Sequence, residues 1–225
     1  MKTTLLFLSV FLSASLFGQT HFVGFKGGIN FSDYIAEEEF STDTDPSFYL
    51  TKEKRNGFNG GLTYEYHFNK RINCGIDLLY SQRGGTSSTN QFSTANTENV
   101  KIDYLSLPIK GGVLFGNLFS VFANVGVIPS FLVSKSVINN DIDIYESLIT
   151  DTSDFSQFYG INQFDCAALV EVGANYKITS NLFIHTTIGY QRTFTREKKY
   201  TGTMYDYINQ GIVLHFGIKY ALNAE

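Results

Sequence analysis

The sequence predicts an all-β protein, an eight-stranded antiparallel up-and-down transmembrane β-barrel, and three observations predict it. Segments in which apolar and polar residues alternate with a period of two recur eight times, as strands with one apolar face do. The connections between them alternate between tight turns and long polar stretches. Charged residues inside the segments fall on the face opposite the apolar one. A water-soluble barrel would have to bury those charges and expose its greasiest surface, against both burial rules. Lipid against the apolar face and a lumen lined by the charges satisfies both.

The chain opens with "MKTTLLFLSVFLSASLFGQT", in which Lys2 precedes an apolar run and small residues lead to Gly18. This is the pattern of a secretory signal peptide, residues 1–18, leaving 19–225 as an outer-membrane β-barrel domain. Serines break the run before it reaches the ~20 apolar residues of a spanning helix. No cysteine lies near the cut, which excludes an acylated lipoprotein N-terminus.

The strands follow in order. Segment 22–32 turns Lys26 and Asn30 inward. Segment 57–68 places Phe58, Leu62, Tyr64, Tyr66 and Phe68 outward, with Glu65 and His67 inward. Segment 71–83 has Ile76, Leu78 and Tyr80 outward and Asp77 inward. Segments 100–114 and 119–132 contribute Lys110 and Asn124 to the inner face. Segments 164–177 and 182–194 form a hairpin with Val170, Val172, Ala174, Tyr176, Leu182, Ile184, Thr186, Ile188 and Tyr190 outside, and Glu171, Asn175, Lys177 and His185 inside. Segment 208–221 closes the set, with Ile212, Leu214, Phe216, Ile218 and Tyr220 outside and His215 and Lys219 inside. Long stretches 33–56, 84–99, 133–163 and 195–207 lie at one end. Turns 69–70, 116–118 and 179–181 lie at the other with both termini, the asymmetry of bacterial outer-membrane barrels.

The lumen of an eight-stranded barrel is just wide enough for side chains to fill. Lys26, Glu65, Asp77, Lys110, Glu171, Lys177, His185, His215 and Lys219 are therefore expected to form a structural polar network. In it Glu65, Asp77 and Glu171 pair with the four lysines as a plug rather than a conduit. Glycines at 27, 28, 60, 61, 111 and 112 are expected at bulges or tight curvature. Pro108 and Pro129 need a bulge or a place near the rim, because a closed barrel has no edge strand.

Composition agrees. Phe (21), Tyr (14) and Gly (20) are abundant, Pro is rare at 3 and charged residues make up only 17%, which favours strands over helices. A net charge of −4 offers no basic footprint for nucleic acid. The two cysteines, Cys74 and Cys166, fall on the apolar face at opposite ends of their strands, so no disulfide is expected. No His or carboxylate is spaced as a metal set or catalytic triad, so no cofactor, metal or enzymatic activity is expected.

"VGFKGGINFSDY" after the signal peptide, "YLSLPIKGG" in mid-chain and the closing "GIVLHFGIKY" resemble the PorT-like family of small bacterial outer-membrane β-barrel proteins. The resemblance covers the whole mature chain through loose, structural motifs. It implies a bulge tolerated at Pro108 and a Gram-negative outer-membrane location reached through the cleaved signal peptide. The family includes a protein associated with a secretion apparatus that exports proteins across the outer membrane. No functional residue carries over. Where the family's fold usually ends on an aromatic residue, here Tyr220 is followed by "ALNAE".

Function is therefore expected in the loops. Stretches 33–56 and 133–163 hold 12 of the 21 acidic residues, interleaved with aromatics such as Tyr34, Phe48, Tyr145 and Phe158, as a protein-binding surface would be. Asp43 with Asp45, or Asp141 with Asp143, offers oxygen ligands for a divalent cation but no complete loop signature. The expected role is a monomeric, non-enzymatic anchor in outer-membrane lipid that displays interaction loops, an accessory to an envelope secretion or assembly complex. The alternatives are a small pore and a lipid-modifying enzyme.

Overall fold

The computed structural model describes residues 20–37, 49–91, 94–139, 163–194 and 206–222. The expected signal peptide and the aspartates at 43, 45, 141 and 143 lie outside the described residues, as do most of the acidic and aromatic loop residues. The described residues form nine strands, β1 (Thr20–Glu37), β2 (Tyr49–His67), β3 (Ile72–Gln91), β4 (Thr94–Ser106), β5 (Ile109–Gly116), β6 (Phe119–Asn139), β7 (Phe164–Lys177), β8 (Leu182–Thr193) and β9 (Asp206–Ala221). Every pairing is antiparallel, and β1 pairs with both β2 and β9, so the ring is closed.

Nine strands fill eight wall positions. The fourth expected strand is split into β4 and β5, both of which pair with β3 on one side and β6 on the other. The gap is Leu107–Pro108, and the register passes through it without a slip. Asp77 N donates to Pro108 O at 3.0 Å, and Leu107 N donates to Pro129 O at 2.8 Å. Each proline keeps its acceptor and lacks the returning donor of its pair. Neither proline sits at a bulge, since the irregularities fall between Lys54 and Asn59 and between Asp103 and Tyr104; Pro129 stands two residues from Phe131↔Phe164, where β6–β7 pairing ends, as a place near the rim requires, and the bulge implied at Pro108 is corrected.

The glycine pairs are also not bulges. β1 and β2 stay in register through Gly27↔Gly60 and Lys26↔Gly61. Close backbone approach explains Gly28, Gly61 and Gly112, whereas a Cβ on Gly27 or Gly111 would meet ordinary contacts at 3.7 and 3.6 Å. A Cβ on Gly28 would stand 1.7 Å from the Leu214 carbonyl oxygen, and one on Gly61 would stand 2.1 Å from that of Leu78. Strand coiling in a narrow barrel brings neighbouring backbones that close, so only glycine fits.

The strands alternate in burial as expected. Phe25, Phe58, Val125, Val170, Ile188, Phe216 and Ile218 stand among the exposed large apolar residues, while Lys26, Asp77, Glu171 and Lys219 are each 5% exposed or less. Cys74 and Cys166 stand in separate strands of the wall with no disulfide between them. β8, of 12 residues, rises about 30 Å at about 3.3 Å per residue and a tilt of about 40°. That matches the height of a membrane's apolar layer. β3, of 20 residues, reaches about 50 Å on the same basis.

The extra length corrects the expected strand ends. Stretch 84–99 is a hairpin rather than a long loop, paired down to Gln91↔Thr94. Above the apolar band, β1–β2 pairing stops at Ser32↔Arg55, β6–β7 at Phe131↔Phe164 and β8–β9 at Arg192↔Gln210. Pairing continues between β2 and β3, β3 and β4, and β4 and β6, and separately between β1 and β9 up to Glu37↔Asp206. The wall thus divides into a four-stranded blade and a two-stranded ribbon.

Candidate functional site

The inward side chains form three tiers. In the middle tier Asp77, on β3, accepts from Lys26 Nζ at 2.6 Å and Lys110 Nζ at 3.0 Å, and its other oxygen accepts from Thr63 Oγ1 at 2.6 Å. Lys110 reaches across to Glu171 Oε1 at 2.9 Å, and Asn124 Nδ2 donates to the same oxygen at 2.8 Å. His215 on β9 joins the tier through both ring nitrogens. Asn59 Oδ1 lies 3.1 Å from Nε2 and Thr187 Oγ1 lies 3.2 Å from Nδ1. An amide oxygen can only accept, so Nε2 carries a proton, and in the neutral ring Nδ1 accepts from the threonine hydroxyl. All eight wall positions meet in this one layer.

The tier nearest the short turns is built on Glu65. Lys219 Nζ donates to its Oε2 at 2.6 Å, and His67 Nε2 lies 3.3 Å from the same oxygen. The Lys219 ammonium also lies 5.6 Å from the ring centroids of Phe22 and Phe122, a cation–π arrangement. His185 is 3% exposed, and its Nδ1 has no partner. Asn175 Nδ2 donates to Ser120 Oγ at 3.2 Å.

At the opposite end Arg83 forms the third tier. Its Nη1 donates to Asp165 Oδ2 at 2.9 Å, its Nη2 to Ser130 Oγ at 3.2 Å and Ser106 Oγ at 3.3 Å, and its guanidinium lies 5.0 Å from the Tyr104 ring centroid. Thr193 Oγ1 donates to Asp165 at 3.1 Å. Arg83 is 0% exposed, and it closes that end of the lumen.

Of the network expected from sequence, Lys26, Asp77, Lys110 and Glu171 meet directly, and Lys219 meets Glu65. His215 lies beside the first group and bonds only to the neutral Asn59 and Thr187, and His185 lies near the second without an ion pair. Lys177 departs from the expected pairing. It stands at the short-turn mouth, its Nζ 5.8 Å from the Phe183 ring centroid, and among the described residues it has no carboxylate within ion-pair distance. Arg83 and Asp165 were missing from the expected network. Parity would have found them, since each lies an even step from a recognised member, Asp77 and Glu171. The lumen also holds apolar residues the pattern did not mark, among them Phe22, Leu79, Phe122, Ile128 and Leu169.

These ion pairs set four cations, Lys26, Lys110, Lys219 and Arg83, against four carboxylates, Glu65, Asp77, Glu171 and Asp165. The lumen they fill keeps an internal cavity of ≈ 20 Å³, room for about one water. A second space, of ≈ 440 Å³, opens at the short-turn end. Among the described residues no group of His, Cys, Asp or Glu is placed to hold a metal ion. The chemistry such a lumen performs is mutual neutralisation.

The profile of a family described as "outer membrane protein beta-barrel domain" matches residues 17–195. No functionally curated protein matches the sequence. Among solved structures, the outer membrane protein OprG from Pseudomonas aeruginosa aligns at a TM-score of 0.56 and 10% identity, covering 92% of this chain and 97% of that one. Outer membrane protein W from Escherichia coli gives 0.46 at 13% identity, covering 90% and 97%. At 10% identity the likeness to OprG is one of fold.

Proposed function

The chain belongs to the outer membrane protein β-barrel domain family, and we propose that in the outer membrane it is a non-enzymatic, PorT-like anchor displaying interaction loops. The observation that carries the reading is where the ordered wall goes. The strands run well past the apolar band as a blade and a ribbon, while the lumen is filled by paired charges. A pore would need the second arrangement reversed, and an anchor has use for the first. The extending strands β1, β2 and β6 run into the acid- and aromatic-rich stretches 33–56 and 133–163 of the sequence, the surface a protein partner in a secretion or assembly complex would use. By the asymmetry of such barrels the short turns face the periplasm and the extensions face outward.

The test replaces residues 140–162 with a short Gly-Ser connection and compares cross-linked complexes purified from native membranes. The expected result is a barrel that still inserts, with the partner captured by the parent chain lost from the variant. Full restoration of the knockout phenotype by the loop-deleted barrel would overturn the reading. Steady conductance or lipid turnover by the purified chain would replace it with a pore or an enzyme.

A further inference from the structure

We propose that the short-turn mouth of the barrel is a binding site for small organic carboxylates with an apolar body, entered from the periplasm. The inference stands apart from the loop-display reading, because it concerns the other end of the molecule. The mouth is a concave space of ≈ 440 Å³, within the usual range of ligand pockets. It is a cup rather than a passage, since the Glu65–Lys219 pair and the middle tier close its floor.

Its charge is one-sided. Lys70, Lys177 and Lys219 line it, and no Asp or Glu does. Lys219 is satisfied by Glu65 at 2.6 Å. Lys177 and Lys70, which also line the cup, have no carboxylate within ion-pair distance among the described residues, so two cationic side chains at its rim lack a paired anion. This is unlike the rest of the lumen, where every cation in the network has its anion. Low-dielectric walls focus the field of such a pair on whatever enters.

The remaining lining says which anion. Asn69 spends its Oδ1 on the backbone amides of Arg71 and Ile72, at 2.7 and 2.9 Å, so its Nδ2 is left to donate. Asn117 adds a second amide, and Phe22 and Phe183 supply an apolar side, their rings meeting edge to face at a centroid distance of 5.3 Å. Ammonium and amide donors set beside aromatic rings, with Lys177 Nζ 5.8 Å from the Phe183 centroid and Lys219 Nζ 5.6 Å from that of Phe22, suit a carboxylate carried on an apolar body, such as a short peptide's C-terminus, better than a bare ion.

The experiment uses the whole chain in dodecyl maltoside micelles, with backbone amide shifts followed by NMR during titration. The probe is N-acetyl-alanyl-alanine, with its C-terminal carboxamide and acetate as comparisons. Saturable shifts at residues 116–120, 175–177 and 183 are expected with the dipeptide acid alone among the three at equal concentration. Lys177→Gln is expected to weaken binding about tenfold, and Lys177→Arg to retain it. Lys70→Gln, on an exposed turn, provides a second reading and should weaken binding in the same direction. Absence of saturation, an equal response to the carboxamide or to acetate, or unchanged binding by both glutamine variants would overturn the proposal.

Discussion

Lys110 holds two carboxylates at once, Asp77 at 3.0 Å and Glu171 at 2.9 Å. Replacing it with methionine keeps the volume and leaves Glu171 with only Asn124, an unbalanced charge in the barrel interior. Lys110→Met should therefore destabilise the barrel by about 3 kcal/mol, and adding Glu171→Gln should recover part of that loss. Urea unfolding of Lys110→Met, Glu171→Gln and the double variant from lipid vesicles would measure this, and a double-variant loss equal to the sum of the two single losses would show the pair to be uncoupled. That these residues face inward was legible in the sequence, because Lys110 and Glu171 sit opposite an apolar stripe of period two. Their pairing was not. Which charge meets which depends on the stagger of strands around the barrel, a property of closure that no single segment encodes. Arg83 escaped for a simpler reason, since Leu79 and Ser81 interrupt the run of charge that would have led from Asp77 to it.

The Leu107–Pro108 junction shows how an element absorbs a residue that its pattern forbids. Asp77 N still bonds to Pro108 O, so the geometry of that pair survives and only the return bond is missing. Pro108→Ala would supply the donor. The expected outcome is a gain of about 0.5 to 1.5 kcal/mol and slower amide exchange along β4–β5. Faster exchange or lower stability would mean that the proline's fixed φ, rather than its missing N–H, is what the wall requires. Apolar alternation located the strands well where one side meets lipid, as in 208–221. It failed in 84–99, where "GGTSSTNQFSTANTEN" has little apolar contrast between its two faces. The ladder of β3 and β4 carries on there by backbone bonding, which side-chain hydropathy does not report.

At the scale of the whole molecule, the filled lumen predicts that the reconstituted chain shows no steady conductance in planar bilayers, because the cavity between the middle tier and Arg83 is only ≈ 20 Å³. Stable nanosiemens steps from the intact chain would contradict that filling. The ring itself has a further consequence for how the protein is made. β1 pairs with β9 from Phe22↔Ala221 to Glu37↔Asp206, so the first and last strands complete the wall together. Lys219 meets Glu65 across 154 residues of sequence. Until the C-terminal strand arrives, the charges destined for the lumen have an open side towards hydrocarbon, which penalises any half-inserted sheet. Insertion and closure are thereby coupled into one late, cooperative event, and a nascent chain that stops short of residue 206 has no partly built barrel in which to wait.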